Sequence, residues 1–180
     1  TGLTAVRLEA LTHESLPGGG PGRHSNSNFV LSEFELTAVS LKDPSQSRQI
    51  KFRRAIADYS QAGYEVAKAI DGAVADNNGW AVDGPTRKEN ATAMFIAETP
   101  FGFDDGTELR FRLRHEANFA THGVGRPRIS ITRDGPDTIR LQGLSHEIRK
   151  LASAAAQSGK AAKRLRDYFV ENHDPRKLLI

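Results

Sequence analysis

The chain has 180 residues, 38% of them hydrophobic and 26% charged, which suits one globular domain with a full core, or a smaller domain with an appendage, and leaves no room for two large ones. It has no cysteine, which excludes disulfide scaffolds, cysteine nucleophiles, thiolate metal sites and covalent haem, and no apolar run nears the ~20 residues that cross a bilayer, so membrane insertion is not expected. The formal charge of +3 sits at one end: residues 143–180 hold 8 Lys and Arg against 4 acids while the rest hold 17 against 18, and a near-neutral body without an RRM, helix-turn-helix or zinc-finger pattern argues against nucleic acid as a partner.

Residues 1–142 read as strands separated by turns. Val6, Leu8 and Ala10 alternate with Arg7 and Glu9 before the loop Pro17–Gly22. A long second strand is expected over 28–39, with Val30, Phe34, Leu36 and Ala38 on one face and Glu33 and Glu35 on the other. Residues 50–57 and 91–97 are shorter candidates. Over 107–115, Leu109, Phe111 and Leu113 alternate with Arg110, Arg112 and Arg114, as in a strand with one buried and one wet face, and 128–132 repeats the pattern. Asp-Gly and Gly-Pro turns at 71–72, 83–85, 105–106 and 134–136 punctuate these runs. The expected fold is mainly β, an antiparallel jelly-roll β-sandwich over 1–142. From Leu144 the period becomes helical, with Ser145 as N-cap and Ile148, Leu151, Ala152 and Ala155 on one stripe. A second amphipathic segment follows over 160–172, so 143–180 reads as a helical extension leading to a further domain. The chain begins at Thr1 and reads as a segment of something longer.

The motifs carry weak chemistry. The glycine loop before Arg23 leads into a strand, whereas a phosphate cradle opens a helix, so it reads as a β connection whose Arg23, His24, Asn26 and Asn28 could meet a ligand. No nucleophile elbow or His-Glu-x-x-His is present. The arginine row of 110, 112 and 114 is either a solvated face paired with Glu33 and Glu35 or a set of donors for an anionic polymer. Trp80 reads as a cap on the core, with a sugar-stacking face as the alternative. The loops 83–90 and 115–126 are richest in hydrogen-bonding side chains. Asp83, Arg87, Lys88, Asn90, His115, Asn118, His122 and Arg126, with Trp80, form the candidate carbohydrate site if both loops share one end of the sandwich.

Three stretches, Val6–Glu33 with its glycine loop, Ala69-Ile-Asp-Gly72 with Gly79-Trp80, and His122–Thr132, together resemble the β-sandwich module of large planctomycete-type cytochrome-c-like proteins. The resemblance implies an extracytoplasmic parent protein and neighbouring domains as partners. It carries no haem role over, because haem there binds a Cys-x-x-Cys-His segment. More distantly, Ala69–Gly72 followed by Trp80 is similar to the galactose-binding-like fold of discoidin and fucose-lectin domains. That likeness implies sugar binding at end loops and a structural calcium held by the aspartate equivalent to Asp71. The flanking asparagines of that metal loop are here Lys68 and Ala73, which leaves Asp76, Asn77 and Asn78 to supply oxygens. The expected function is a noncatalytic, monomeric carbohydrate-binding module for a poly- or oligosaccharide, acidic or sulfated polymers being among the candidates. A spacer or docking domain and a polysaccharide-degrading enzyme are the alternatives.

Overall fold

A computed structural model describes residues 1–74, 76–135 and 163. The chain divides into two units, Thr1–Gly143 and Leu144–Ile180, and the account below concerns the first. The helices expected beyond Leu144 lie outside the described residues.

Seven strands form two antiparallel sheets. They are β1 (Leu3–Leu11), β2 (Glu33–Ser40), β3 (Ser47–Gln49), β4 (Phe52–Ala57), β5 (Ala91–Phe101), β6 (Thr107–Arg114) and β7 (Arg126–Thr132). One sheet has the order β4-β5-β1-β7 and the other β3-β2-β6. Two 3-10 turns, Pro17–Gly19 and Val66–Ile70, interrupt the connections. Among the described residues no helix is long and apolar enough to cross a membrane.

The period of two places the core. Val6, Leu8 and Ala10 of β1 and Ala93, Phe95 and Ala97 of β5 face Phe34, Leu36 and Ala38 of β2. Phe34 stacks on Phe95 across the gap with ring centroids 4.2 Å apart. Leu109, Phe111 and Leu113 point to the same core but stay partly buried, because β6 is an edge strand. On the far face of the larger sheet, Ala5, Met94 and Ile96 are also buried, with Ile56 against them. β5 is therefore covered on both sides, which is why Met94-Phe95-Ile96 is apolar without alternation.

The arginine row resolves as a paired outer face. Arg114 donates to Glu35 at 3.0 Å and to Glu116 at 2.6 Å, and Arg110 pairs with Glu108 at 2.8 Å. The expected strand 28–39 is shortened to β2. Residues 28–32 run inward as a connection whose Leu31 makes a single bridge to Trp80.

Register places the connections. β1 ends at Leu11 opposite Arg126, where β7 begins, and Ala10 faces Ala91, where β5 begins. β4 ends at Ala57 opposite Ala93, and Glu33, the first residue of β2, faces Arg114, the last of β6. Connections 12–32, 58–90 and 115–125 thus share one end of the sandwich. The other end holds the short connections 41–46 and 102–106, while 50–51 crosses from one sheet to the other along the flank, where Gln49 faces Thr37 and Phe52 faces Ala97.

Candidate functional site

The long connections carry a core of their own. Phe29, Leu31, Trp80 and Val82 are almost completely buried, and Trp80 meets Phe29 edge to face at 5.0 Å while its Nε1–H donates to the Tyr59 carbonyl at 3.0 Å. An indole held this way has no free face, so Trp80 is a structural residue and the stacking alternative is corrected. The glycine loop packs equally closely. A Cβ at Gly22 would lie 1.9 Å from the Asn28 carbonyl oxygen, and one at Gly84 would lie 2.3 Å from the Asn28 nitrogen.

Between these packed connections lies a cleft of about 250 Å³, lined by Asn26, Asn28, Val30, Gln61, Tyr64, Ala81, Phe119 and His122. Tyr64 and Phe119 meet edge to face at 6.0 Å, and Phe119 lies 5.5 Å from His122. His122 in turn stacks on His24 at 3.8 Å with the rings 17° apart. The Nδ1 of His122 faces the Ala120 carbonyl at 3.0 Å, which requires a proton on that nitrogen, so that in the neutral ring Nε2 is the acceptor. His24 Nδ1 accepts from the Asn26 N–H at 3.3 Å, so its own Nε2 is the donor.

The amides are fixed by hydrogen bonds that leave donors over. Asn28 Nδ2 donates to Gln61 Oε1 at 3.0 Å, the same oxygen accepts from the Asp83 N–H at 3.2 Å, and Asn28 Oδ1 accepts from the Val82 N–H at 3.2 Å. Asn26 Oδ1 accepts from the Asn28 N–H at 2.9 Å. The NH₂ groups of Gln61 and Asn26 have no acceptor among the described residues. The cleft is therefore uncharged, walled by two aromatic rings, and supplied with oriented amide donors.

Of the residues expected at the carbohydrate site, His122 lines this cleft, and so do Asn26 and Asn28, which the sequence marked as possible ligand contacts after the glycine loop. Both candidate loops do end at the same end of the sandwich, but their side chains have other partners. Arg87 lies over the Tyr59 ring at 4.1 Å and pairs with Glu89, and Lys88 donates to Ser27 Oγ at 2.5 Å. Asp83 Oδ2 accepts from the Thr86 hydroxyl, and Asn90 Oδ1 accepts from the Thr12 N–H at 2.8 Å. His115 is a structural histidine. Burial pushes its pKa down, Nδ1 donates to the Val30 carbonyl at 2.7 Å, and the nearby Arg23 charge also lowers it. Asn118 is exposed and joins the loop through its main chain, with its N–H on the Asp76 carbonyl at 3.0 Å, and Arg126 is exposed at the start of β7. Gln61, Tyr64 and Phe119 were not legible as site residues, since nothing local in sequence links them. The aromatic beside a Gly-rich turn in Gln61-Ala-Gly-Tyr64 was the available signal.

The Asp71 loop forms a ring of oxygens. Asn78 Nδ2 faces Asp71 Oδ1 at 3.0 Å and Oδ2 at 3.2 Å, the Lys68 carbonyl at 3.3 Å and the Ala73 carbonyl at 2.7 Å. Two amide hydrogens thus meet four acceptors. Lys68 and Ala73 contribute main-chain oxygens, so their side chains do not disqualify the loop, and the donor set is of the hard oxygen kind that calcium takes. Asp76 enters the loop with φ of 59°, and its main-chain carbonyl accepts from the Asn118 N–H at 3.0 Å. No group of three His, Cys, Asp or Glu side chains with metal-site geometry occurs among the described residues.

No family model, curated protein or solved structure matches this chain.

Proposed function

We propose that the chain is a noncatalytic carbohydrate-binding module of jelly-roll type, part of a larger extracytoplasmic protein, and that an uncharged sugar ring occupies the cleft among the long connections. The observation that carries this reading is the pairing of the Tyr64–Phe119 corner with unused amide donors on Gln61 and Asn26. An aromatic corner covers the apolar face of a pyranose, and amides and an imidazole acceptor match its hydroxyls. Connections 12–32 and 115–125 each pass from one sheet to the other, which is compatible with jelly-roll connectivity. No carboxylate lines the cleft, which favours binding over paired-carboxylate hydrolysis at this place. The same lining favours a neutral ligand over the acidic or sulfated polymers that the sequence suggested, because Arg87 and Lys88 are engaged elsewhere.

A glycan array followed by titration calorimetry tests the reading. Tyr64→Ala should weaken binding about tenfold or more with little change in melting temperature, Gln61→Ala should weaken it as much while also lowering the melting temperature because Asn28 Nδ2 and the Asp83 N–H lose their acceptor, and binding should vary little with salt. Array-wide absence of binding, or variants that bind like the parent, would overturn it. Calcium is the second element of the proposal: the Asp71 carboxylate and the Lys68 and Ala73 carbonyls, with the Asn78 amide turned to present Oδ1, would hold the ion, whose charge would brace the loop that carries Trp80. Melting in calcium against chelator should then show a rise that Asp71→Ala abolishes.

A further inference from the structure

A second recess lies on the flank of the sandwich, away from the end cleft. It occupies about 340 Å³ between the β2–β3 edge of one sheet and the β4–β5 edge of the other, and the exit of the 3-10 turn Val66–Ile70 closes it. Its floor is apolar, made of Ile50, Phe52 and Ile70, and its rim carries Glu33 and Glu98 beside Lys51.

Glu33 is the unusual member. On the outer face of β2 it stands opposite Arg114 in register, as Glu35 stands opposite Arg112. The Arg114 guanidinium nonetheless goes to Glu35 and Glu116, and Arg112 likewise approaches Glu35 at 3.7 Å and Glu116 at 3.9 Å. Glu35 thereby pairs with two guanidinium groups, while Glu33 is in no ion pair among the described residues. Its hydrogen-bond partner is the Gly72 N–H, 3.2 Å from Oε2. Among the described residues no cationic nitrogen lies within ion-pairing distance of Glu33, and the charge of Arg114, committed to Glu35 and Glu116, reaches it only from beyond that distance, so this carboxylate on the groove rim keeps an oxygen open to a further cation. Asp71 itself is engaged by Asn78 and by the Ala73 N–H at 2.9 Å.

We propose that this flank groove binds a primary ammonium on an apolar stem, the side chain of a lysine on a partner protein. The stem lies along Ile50, Phe52 and Ile70, and the ammonium meets the free Oε1 of Glu33 with Glu98 across the groove. A guanidinium fork gains most from two unshared oxygens of one carboxylate, and Gly72 already donates to one of them, whereas a compact ammonium is satisfied by a single oxygen. The reading is independent of sugar binding in the end cleft.

The test is an amide-resolved NMR titration of the whole chain in chelator at low salt, with Nα-acetyl-lysine methylamide as probe and the norleucine and arginine analogues as controls. The lysine probe should shift the amides of Ile50, Phe52, Ile70 and Gly72, leave those of Tyr64 and Phe119 in place, and weaken with added salt. Glu33→Gln, which relieves repulsion and keeps the fold, should reduce affinity about tenfold. Equal binding of the norleucine analogue, an arginine probe that binds as well or better, an unaffected Glu33→Gln protein, or no shift at the highest soluble probe concentration would each overturn the proposal.

Discussion

The two ends of the sandwich are built on opposite economies of chain. At one end, connections 41–46 and 102–106 turn the strands with few residues, and their polar groups serve the turn itself: Asp43 accepts from Ser45 and Gln46, and Thr107 Oγ1 accepts from the Phe103 N–H at 2.7 Å. At the other end, connections 12–32, 58–90 and 115–125 are long enough to bury Phe29, Leu31, Trp80 and Val82 among themselves. A connection with its own core holds side chains rigidly without using all their hydrogen-bonding capacity on the backbone. The difference teaches why a cleft with unused amide donors appears at the long end, where ordered backbone and free polar groups coexist.

That contrast can be broken most directly at Trp80. Trp80→Ala should cost about 3–5 kcal/mol, through lost burial and the cavity left behind. Chemical denaturation checks the size, and hydrogen exchange should show the loss concentrated in 58–90; a loss below 1 kcal/mol, or one spread evenly over both sheets, would mean that the long end has no core of its own.

Glycines sharpen the comparison next. Gly84→Ala at the long end drives a Cβ to 2.3 Å from the Asn28 nitrogen, so main chain must move, at a cost of about 1–3 kcal/mol. Gly106→Ala at the short end has φ of 100° but meets only the tip of the exposed Leu41, so its cost is about 1–2 kcal/mol from backbone conformation alone. The Gly84 variant should also lose ligand binding by displacing Asn28, and the Gly106 variant should not. Parallel calorimetry on the two proteins decides this.

Asp58 gives a pH-dependent test where β4 enters the long end. Its Oδ2 accepts from the Thr92 N–H at 3.0 Å while Oδ1 is buried without a partner. Burial raises its pKa, against the lowering from the Thr92 and Tyr59 N–H groups and Arg87. A carboxyl whose folded pKa is raised contributes its stability fully below the unfolded pKa and loses it as pH rises through the folded one. Asp58→Asn keeps an acceptor for Thr92 and removes the charge. Its stability relative to the parent should therefore be most favourable at neutral and higher pH and decline as pH falls past the folded pKa. Melting curves from pH 4 to pH 8 would contradict this if the difference stayed flat.

The smallest effect is expected on the sheet surface. Arg112→Ala should change stability by less than about 1 kcal/mol, because its guanidinium is 67% exposed and Glu35 keeps Arg114. A larger loss in urea melts would show that the arginine row is structural, making the sheet surface as consequential as the loop core.

Strand alternation was legible where one face is wet. Arg110, Arg112 and Arg114 interleaved with Leu109, Phe111 and Leu113 reported β6 directly, and Glu33 and Glu35 reported β2. β3 was not legible, since Ser47-Arg48-Gln49 is exposed throughout and no apolar residue marks a face. The 3-10 turn Val66–Ile70 is too short for helical periodicity to announce itself.

The sequence alone determined which residues are apolar at period two, where the glycine turns fall and that cysteine chemistry is absent, because these depend on neighbours in the chain. Tertiary structure decided what faces what. Trp80 became core because connection 12–32 folds over it, Arg87 lost its place as a ligand donor to Tyr59 and Glu89, and Lys68 and Ala73 acquired a shared role through carbonyls that every residue type possesses. Gln61 and Tyr64 met Phe119 only because strand register brings connections 58–90 and 115–125 to one end, an arrangement fixed by pairings between residues far apart in sequence.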